Sequence, residues 1–242
     1  MRTSIRLFLG SIGLLGIGLL VYDLKLMAEF RKGDYSRPFY DYERLPFTGF
    51  DRIQLNSATA LTILVVKGDF DVKVNPRLTD LITVQQNGGQ LEITAHFPER
   101  INAGPNYSLF VSCPSLRYFE TSGKYYLRDQ LVQGNFLWQP WYQPTVLKGF
   151  RLDSLSIAQR NGGEVLLQDD RMRSLHALVG TGSRLTIDQG NAIGGGDISV
   201  MDYAQLTLSD TNSLKPNRYL ADSATLILSG AVAKQLLKLK QP

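Results

Sequence analysis

The side chains best suited to contact a ligand lie in Phe136-Leu137-Trp138-Gln139-Pro140-Trp141-Tyr142-Gln143-Pro144, which carries both tryptophans of the chain. Trp and Tyr stack on sugar rings or anchor in protein pockets. Phe136, Trp138, Trp141 and Tyr142 are therefore the candidate ligand or partner contacts. Two other uses fit the same residues: a lid folded over an apolar groove, or a contact with the membrane interface. Pro140 and Pro144 argue against a continuous ladder strand here.

Glu164, Asp169 and Asp170 form the densest acid group. Two carboxylates about 5–10 Å apart can cleave a glycosidic bond. Asp169 and Asp170 are chain neighbours beside Arg171 and Arg173, however, which suits a solvated corner. Asp188, Asp202, Asp210 and Asp222 fall at the expected coil corners, where Asp accepts backbone hydrogen bonds. A calcium site would need several of their oxygens to converge. His96 and His176 have no Ser or Asp in a known nucleophile motif. Cys113, beside Pro114, reads as a small buried hydrophobe. Gly194-Gly195-Gly196 lacks the Lys-Ser/Thr of a phosphate loop and reads as a turn or bulge. No catalytic residue, metal site or cofactor is expected.

The elements that must hold these residues are legible in the apolar pattern. Leu7 to Tyr22 is sixteen residues without a charge, preceded by Arg2 and Arg6. At about 1.5 Å per residue it spans about 24 Å, and adding Ile5 nearly fills a bilayer core of about 30 Å. Residues 1–22 read as an uncleaved membrane anchor, with residues 5–22 in the lipid bilayer. A cleaved signal peptide and a buried soluble helix are the rivals; residues 23–28 make a poor cleavage site. Basic residues flank both ends, so charge does not fix the orientation. The very short leading tail favours a domain outside the cytoplasm, periplasmic or extracellular. Residues 23–46 read as a charged, tyrosine-punctuated linker.

From Phe50 onward short runs alternate, as in Leu61, Ile63, Val65 and in Leu91, Ile93, which marks half-buried strands. Four segments then repeat: Gly162–Gln168, Gly182–Asp188, Tyr203–Ser209 and Ser223–Ser229. Their lead apolar residues, 165, 185, 206 and 226, are 20, 21 and 20 apart. Looser copies are read at Gly123–Tyr126 and Asn56–Ile63. A period near twenty with short strands means stacked coils that bury one another's apolar face. The expected fold is all-β: a right-handed parallel β-helix-like solenoid over residues 47–242, with an aromatic insertion at 132–150. It would make about nine coils and a rod on the order of 40 Å long. A leucine-rich repeat lacks its register here, and a β-sandwich is the remaining rival. The linker and the tail 233–240 are expected to cover the open ends.

Phe50-Asp51-Arg52-Ile53, Leu61-Thr62-Ile63, Lys67-Gly68, Val72-Lys73-Val74 and Gly89-Gln90-Leu91-Glu92-Ile93 resemble the opening of the head GIN domain family, also called DUF2807. Leu109-Phe110-Val111, Pro114-Ser115-Leu116 and Ser122-Gly123 resemble its next segment. The likeness covers about residues 47–232. It implies a right-handed β-helix-like solenoid in the bacterial cell envelope, and "adhesin" is that family's label by analogy. It transfers no catalytic residue. The 132–150 segment departs from the pattern.

The net charge is +4, with 26 Lys and Arg against 22 Asp and Glu. No dense basic stripe accompanies it, so nucleic acid is not an expected partner. A single cysteine excludes an intrachain disulfide framework. The expectation is a non-catalytic, membrane-anchored envelope domain that binds or scaffolds glycan or protein. A polysaccharide lyase or hydrolase, and a bactofilin-like self-associating scaffold, are the alternatives.

Overall fold

The computed structural model describes residues 2–32, 39–99, 107–134, 143–209, 217–230 and 233. The chain divides into two compact units, Met1–Asp41 and Tyr42–Pro242. It is mostly strand, with one apolar helix at the amino end.

The first unit holds helix α1, Arg2–Lys32. Within it Gly10–Ala28, 19 residues of mean hydropathy 1.6, is long and apolar enough to cross a membrane, and none of it is buried. The helix continues ten residues past Tyr22. Residues 23–32 contain no Gly or Pro, and Leu, Lys, Met, Ala, Glu and Arg all propagate a helix well.

The second unit is built of strands β1 (Glu43–Leu45), β2 (Arg52–Leu55), β3 (Ile63–Lys67), β4 (Asp71–Val74), β5 (Ile82–Asn87), β6 (Gln90–Phe97) and β7 (Leu109–Cys113). Next come β8 (Tyr118–Thr121), β9 (Lys124–Leu127), β10 (Gln130–Gln133), β11 (Thr145–Lys148), β12 (Arg151–Gln159) and β13 (Glu164–Gln168). The last are β14 (Arg171–Val179), β15 (Arg184–Ile187), β16 (Ala192–Val200), β17 (Gln205–Ser209), β18 (Asn217–Leu220) and β19 (Thr225–Ser229). They form two open, mixed sheets. One runs β1-β4-β7-β3-β11-β13-β15-β17-β19 and the other β10-β9-β6-β2-β8-β12-β14-β16-β18, with β5 beside β6.

From β11 onward the chain alternates between the sheets, and from β13 onward each strand lies parallel on the one 20 or 21 residues earlier. Val165 pairs with Leu185, Leu185 with Leu206, and Leu206 with Leu226. The repeat read from the sequence is thus the pairing register itself. In the facing sheet Leu155 pairs with Leu175, and Ile157 with Ala177. Alternation sends Val165, Leu167, Leu185, Ile187, Leu206 and Leu208 inward, where all six are fully buried. Removing each such side chain from water stabilises the fold by about 1.5–3 kcal/mol.

Two columns of left-handed residues mark the passages between the sheets. One column is Gly149, Asp169 and Gly190, and the other is Gly162, Gly182 and Tyr203. Beside the first column a ladder of side chains joins successive passages. The Phe150 N–H donates to Asp170 Oδ1 at 2.7 Å, and the Asp170 N–H donates to Asn191 Oδ1 at 2.8 Å.

The first half departs from the expected uniform coils. The β5–β6, β4–β7, β9–β10 and β1–β4 pairs are antiparallel. Asn87 pairs with Gln90 across Gly88-Gly89, a tight hairpin loop whose Gly88 takes φ +57. The β2 and β3 strands lie inside their sheets, so the stack grows outward on both sides of them. The segment Gly123–Tyr126 is not a copy of the repeat. It leads into β9, which pairs with β6 and β10. At one edge β1, drawn from the segment read as linker, pairs with β4. Nearly all of the tail 233–240 lies outside the described residues.

Candidate functional site

The sequence-designated aromatic contacts, Phe136, Trp138, Trp141 and Tyr142, lie outside the described residues. The chain on either side is tied to one corner. Gly134 donates its N–H to the Gly123 carbonyl at 2.9 Å. Thr62 Oγ1 donates to the Gln143 carbonyl at 3.4 Å.

The acid group does not converge. Glu164 lies on the outer face of β13 and meets Arg184 Nη1 at 3.3 Å. Asp169 is exposed at a left-handed corner, 3.8 Å from Lys148 Nζ. Asp170 is fully buried. Burial pushes its carboxyl up to about 7, against the hydrogen bonds from Phe150 and neighbouring backbone that favour the charged form. Its Oδ2 has no partner among the described residues. The three carboxyls thus face three different surroundings. The corner acids are also dispersed. Asp202 Oδ1 accepts the Ser223 N–H at 3.1 Å, and Asp188 Oδ1 accepts the Gln189 N–H at 2.8 Å. Asp210 lies outside the described residues. Among the described residues no three His, Cys, Asp or Glu gather as metal ligands.

His96 stacks on the Tyr126 ring, 4.5 Å between centroids and 6° from parallel. Cys113 is buried, and burial with the Asp51 charge nearby pushes its thiol up to about 12, which keeps it protonated and unreactive. Gly194-Gly195-Gly196 is not a turn: it lies within β16, where Gly195 and Gly196 pair with Ser174 and Leu175 while Gly194 drops out of the register. Gly196 takes φ +133, and a Cβ there would sit 1.9 Å from the Leu175 carbonyl oxygen.

Two constellations emerge only from the register. Ser156, His176 and Asp197 are successive partners across β12, β14 and β16. His176 Nδ1 lies 3.4 Å from Asp197 Oδ2, with the two side chains 49% and 62% exposed. The order is that of a hydrolytic triad, but the working contacts are missing. Among the described residues no hydrogen bond joins Ser156 to His176, and the β12 and β14 backbone amides beside them are committed to ladder pairing. Such pairing leaves no free N–H pair for an oxyanion.

The second is cationic. Arg151 and Arg171 are direct partners at the start of β12 and β14, and both are exposed. Neither guanidinium has a carboxylate partner among the described residues. The adjacent Arg173 meets Asp153 at 3.4 Å. These residues border an open groove of about 440 Å³ with Leu152, Met172 and Ala192. Sequence reading missed it by treating Arg171 and Arg173 as part of a solvated corner. The 20-residue offset between Arg151 and Arg171 was the available signal.

No protein-family model matches this chain, and no curated protein does. Among solved structures, a "putative adhesin" of Bacteroides fragilis aligns at TM-score 0.41 and 10% identity, over 78% of this chain and 96% of its own. A "putative adhesin" of Parabacteroides merdae aligns at 0.37 and 9%, over 78% and 95%. A "putative lipid binding protein" of Parabacteroides distasonis aligns at 0.29 and 12%, over 77% and 96%. Likeness at this level assigns neither a family nor a function to the chain.

Proposed function

We propose that this chain is a non-catalytic, membrane-anchored cell-envelope protein of the head GIN kind. Its strand unit is a β-solenoid outside the cytoplasm that binds or scaffolds envelope glycan or protein. The observation that carries the reading is the in-register parallel stack from β11 to β19. Such a stack presents equivalent outward positions at a fixed spacing of about 4.8 Å, a surface suited to repeating polymers. The separation of Glu164, Asp169 and Asp170 supports a role without bond cleavage. Helix α1 would supply the anchor. In this reading Phe136, Trp138, Trp141 and Tyr142 add an aromatic contact to the ligand.

The test mixes the full chain in detergent with purified envelope polysaccharides and follows both sedimented protein and glycan chain length. Binding without shortening is expected, weakened when Trp138 and Trp141 are both replaced by Ala. Shortened glycan would replace this reading with an enzymatic one. Concentration-dependent filaments without glycan binding would replace it with a self-associating scaffold.

A further inference from the structure

Resting on the binding role above, and naming its ligand, we propose that the Arg151–Arg171 groove is a subsite for the oxyanions of an anionic polysaccharide. Adjacent strands lie about 4.8 Å apart, so two guanidiniums in direct register repel each other. A structure that needed only a solvated corner would gain from an acid at either position. Instead Asp153 is engaged by Arg173, and Arg151 and Arg171 are left to an external anion. Two planar forks side by side match the oxygens of a carboxylate, sulfate or phosphate, because each fork donates two parallel N–H bonds.

The next rung carries the second, independent observation. Beyond β14 the next strand sets Ala192 opposite Arg171 and Gly195 opposite Ser174, so its outward positions are nearly bare. Backbone crowding accounts for Gly194 and Gly196. A Cβ at Gly194 would press on the Arg173 carbonyl oxygen at 2.9 Å, and one at Gly196 on that of Leu175. Gly195 has no such reason, since a Cβ there meets nothing within 4 Å. A strand glycine with free space above it is a place where a ligand can approach the backbone closely. A cationic pair beside a bare strand makes a trench, which fits an extended chain. A bilayer surface would instead require a projecting basic or aromatic rim.

The experiment measures binding of the full chain, in detergent, to polygalacturonate, dextran sulfate and neutral dextran, and to phosphatidylglycerol vesicles. At least one of the two polyanions is expected to bind with an affinity that falls as salt rises, and neutral dextran is not. Replacing both arginines, R151Q with R171Q, is expected to weaken polyanion binding at least about tenfold, while the melting temperature holds or rises as the repulsion is relieved. R151K with R171K is expected to lie between parent and double Gln variant. Ala192→Leu, at an exposed position lining the groove, is expected to weaken binding by filling it, without loss of the strand signal.

Polyanion binding that survives R151Q with R171Q would overturn the groove while leaving the broader binding role standing. Vesicle binding that depends on these arginines, without polyanion binding, would overturn the glycan assignment. No binding to any of these polymers or to envelope polysaccharide would overturn the groove and the glycan part of the binding role together.

Discussion

Replacing Asp170 with Asn should make the protein more stable at pH 8 and leave it nearly unchanged at pH 4. Asp170 is fully buried, and its carboxyl is pushed from an ordinary 3.8 up to about 7. The folded chain therefore holds this proton more tightly than the unfolded chain. The stabilisation is fully present below about pH 4, is lost as pH rises towards 7, and changes no further above that. A difference of about three pH units is worth about 4 kcal/mol. Asn cannot ionise, so the variant escapes that loss. Asn also suits the site, because Asn191 already precedes the paired strand β16 as Asp170 precedes β14. There the amide donates to the Leu167 and Asp188 carbonyls at 2.8 and 2.7 Å while Oδ1 accepts the Asp170 N–H. Urea unfolding of the full chain in detergent, followed by circular dichroism, gives the variant-minus-parent difference at each pH. That difference should climb between pH 4 and 7 and reach about 2–4 kcal/mol at pH 8. A flat difference, or a variant less stable than the parent at pH 8, would refute the account of a buried, half-partnered carboxyl.

Three further outcomes follow from the packing. Leu185→Ala, at a fully buried ladder position between Val165 and Leu206, should cost about 2–5 kcal/mol in the same unfolding assay. Gly196→Ala should cost more than about 2 kcal/mol, because its Cβ meets the Leu175 carbonyl oxygen at φ +133, whereas Gly195→Ala should stay within about 1 kcal/mol. His176→Ala should shift stability by less than about 0.5 kcal/mol, since its pairing with Asp197 is solvent-exposed, and should leave glycan chain length unaffected.

The second half of the fold was legible because parallel, in-register strands must bring the same inward residue to the same place in every strand. Leu185 and Leu206 could not slip by one residue without turning a core face to water. The first half was less legible because a period carries no strand direction. Asn87-Gly88-Gly89 reads as a break between strands, but its geometry is that of a hairpin, which reverses the chain. Gly123–Tyr126 mimics the repeat in composition and lies in a different sheet. The corners at Asp169 and Tyr203 were legible as corners but their left-handed conformation was not, because no glycine marks it there. Both the arginine groove and the Ser156–His176–Asp197 row depend on the register of the second sheet. Arg151, Ser154 and Leu155 recur as Arg171, Ser174 and Leu175, but β16 breaks that pattern with Ala192, Gly195 and Gly196, and the row Ser156, His176 and Asp197 repeats no residue type.

The fold and the groove both rest on that register, and disulfide trapping tests it most directly. Thr186 and Thr207 are direct partners on the outer face of β15 and β17, and the native Cys113 is buried away from oxidant. Direct partners about 4.8 Å apart fall within reach of a disulfide, whereas a diagonal partner two residues along lies near 8 Å and does not. The account predicts rapid intramolecular cross-linking of Thr186→Cys with Thr207→Cys, and little with Gln205→Cys. Preferential trapping of the Gln205→Cys pair, or of neither, would contradict the stacked register.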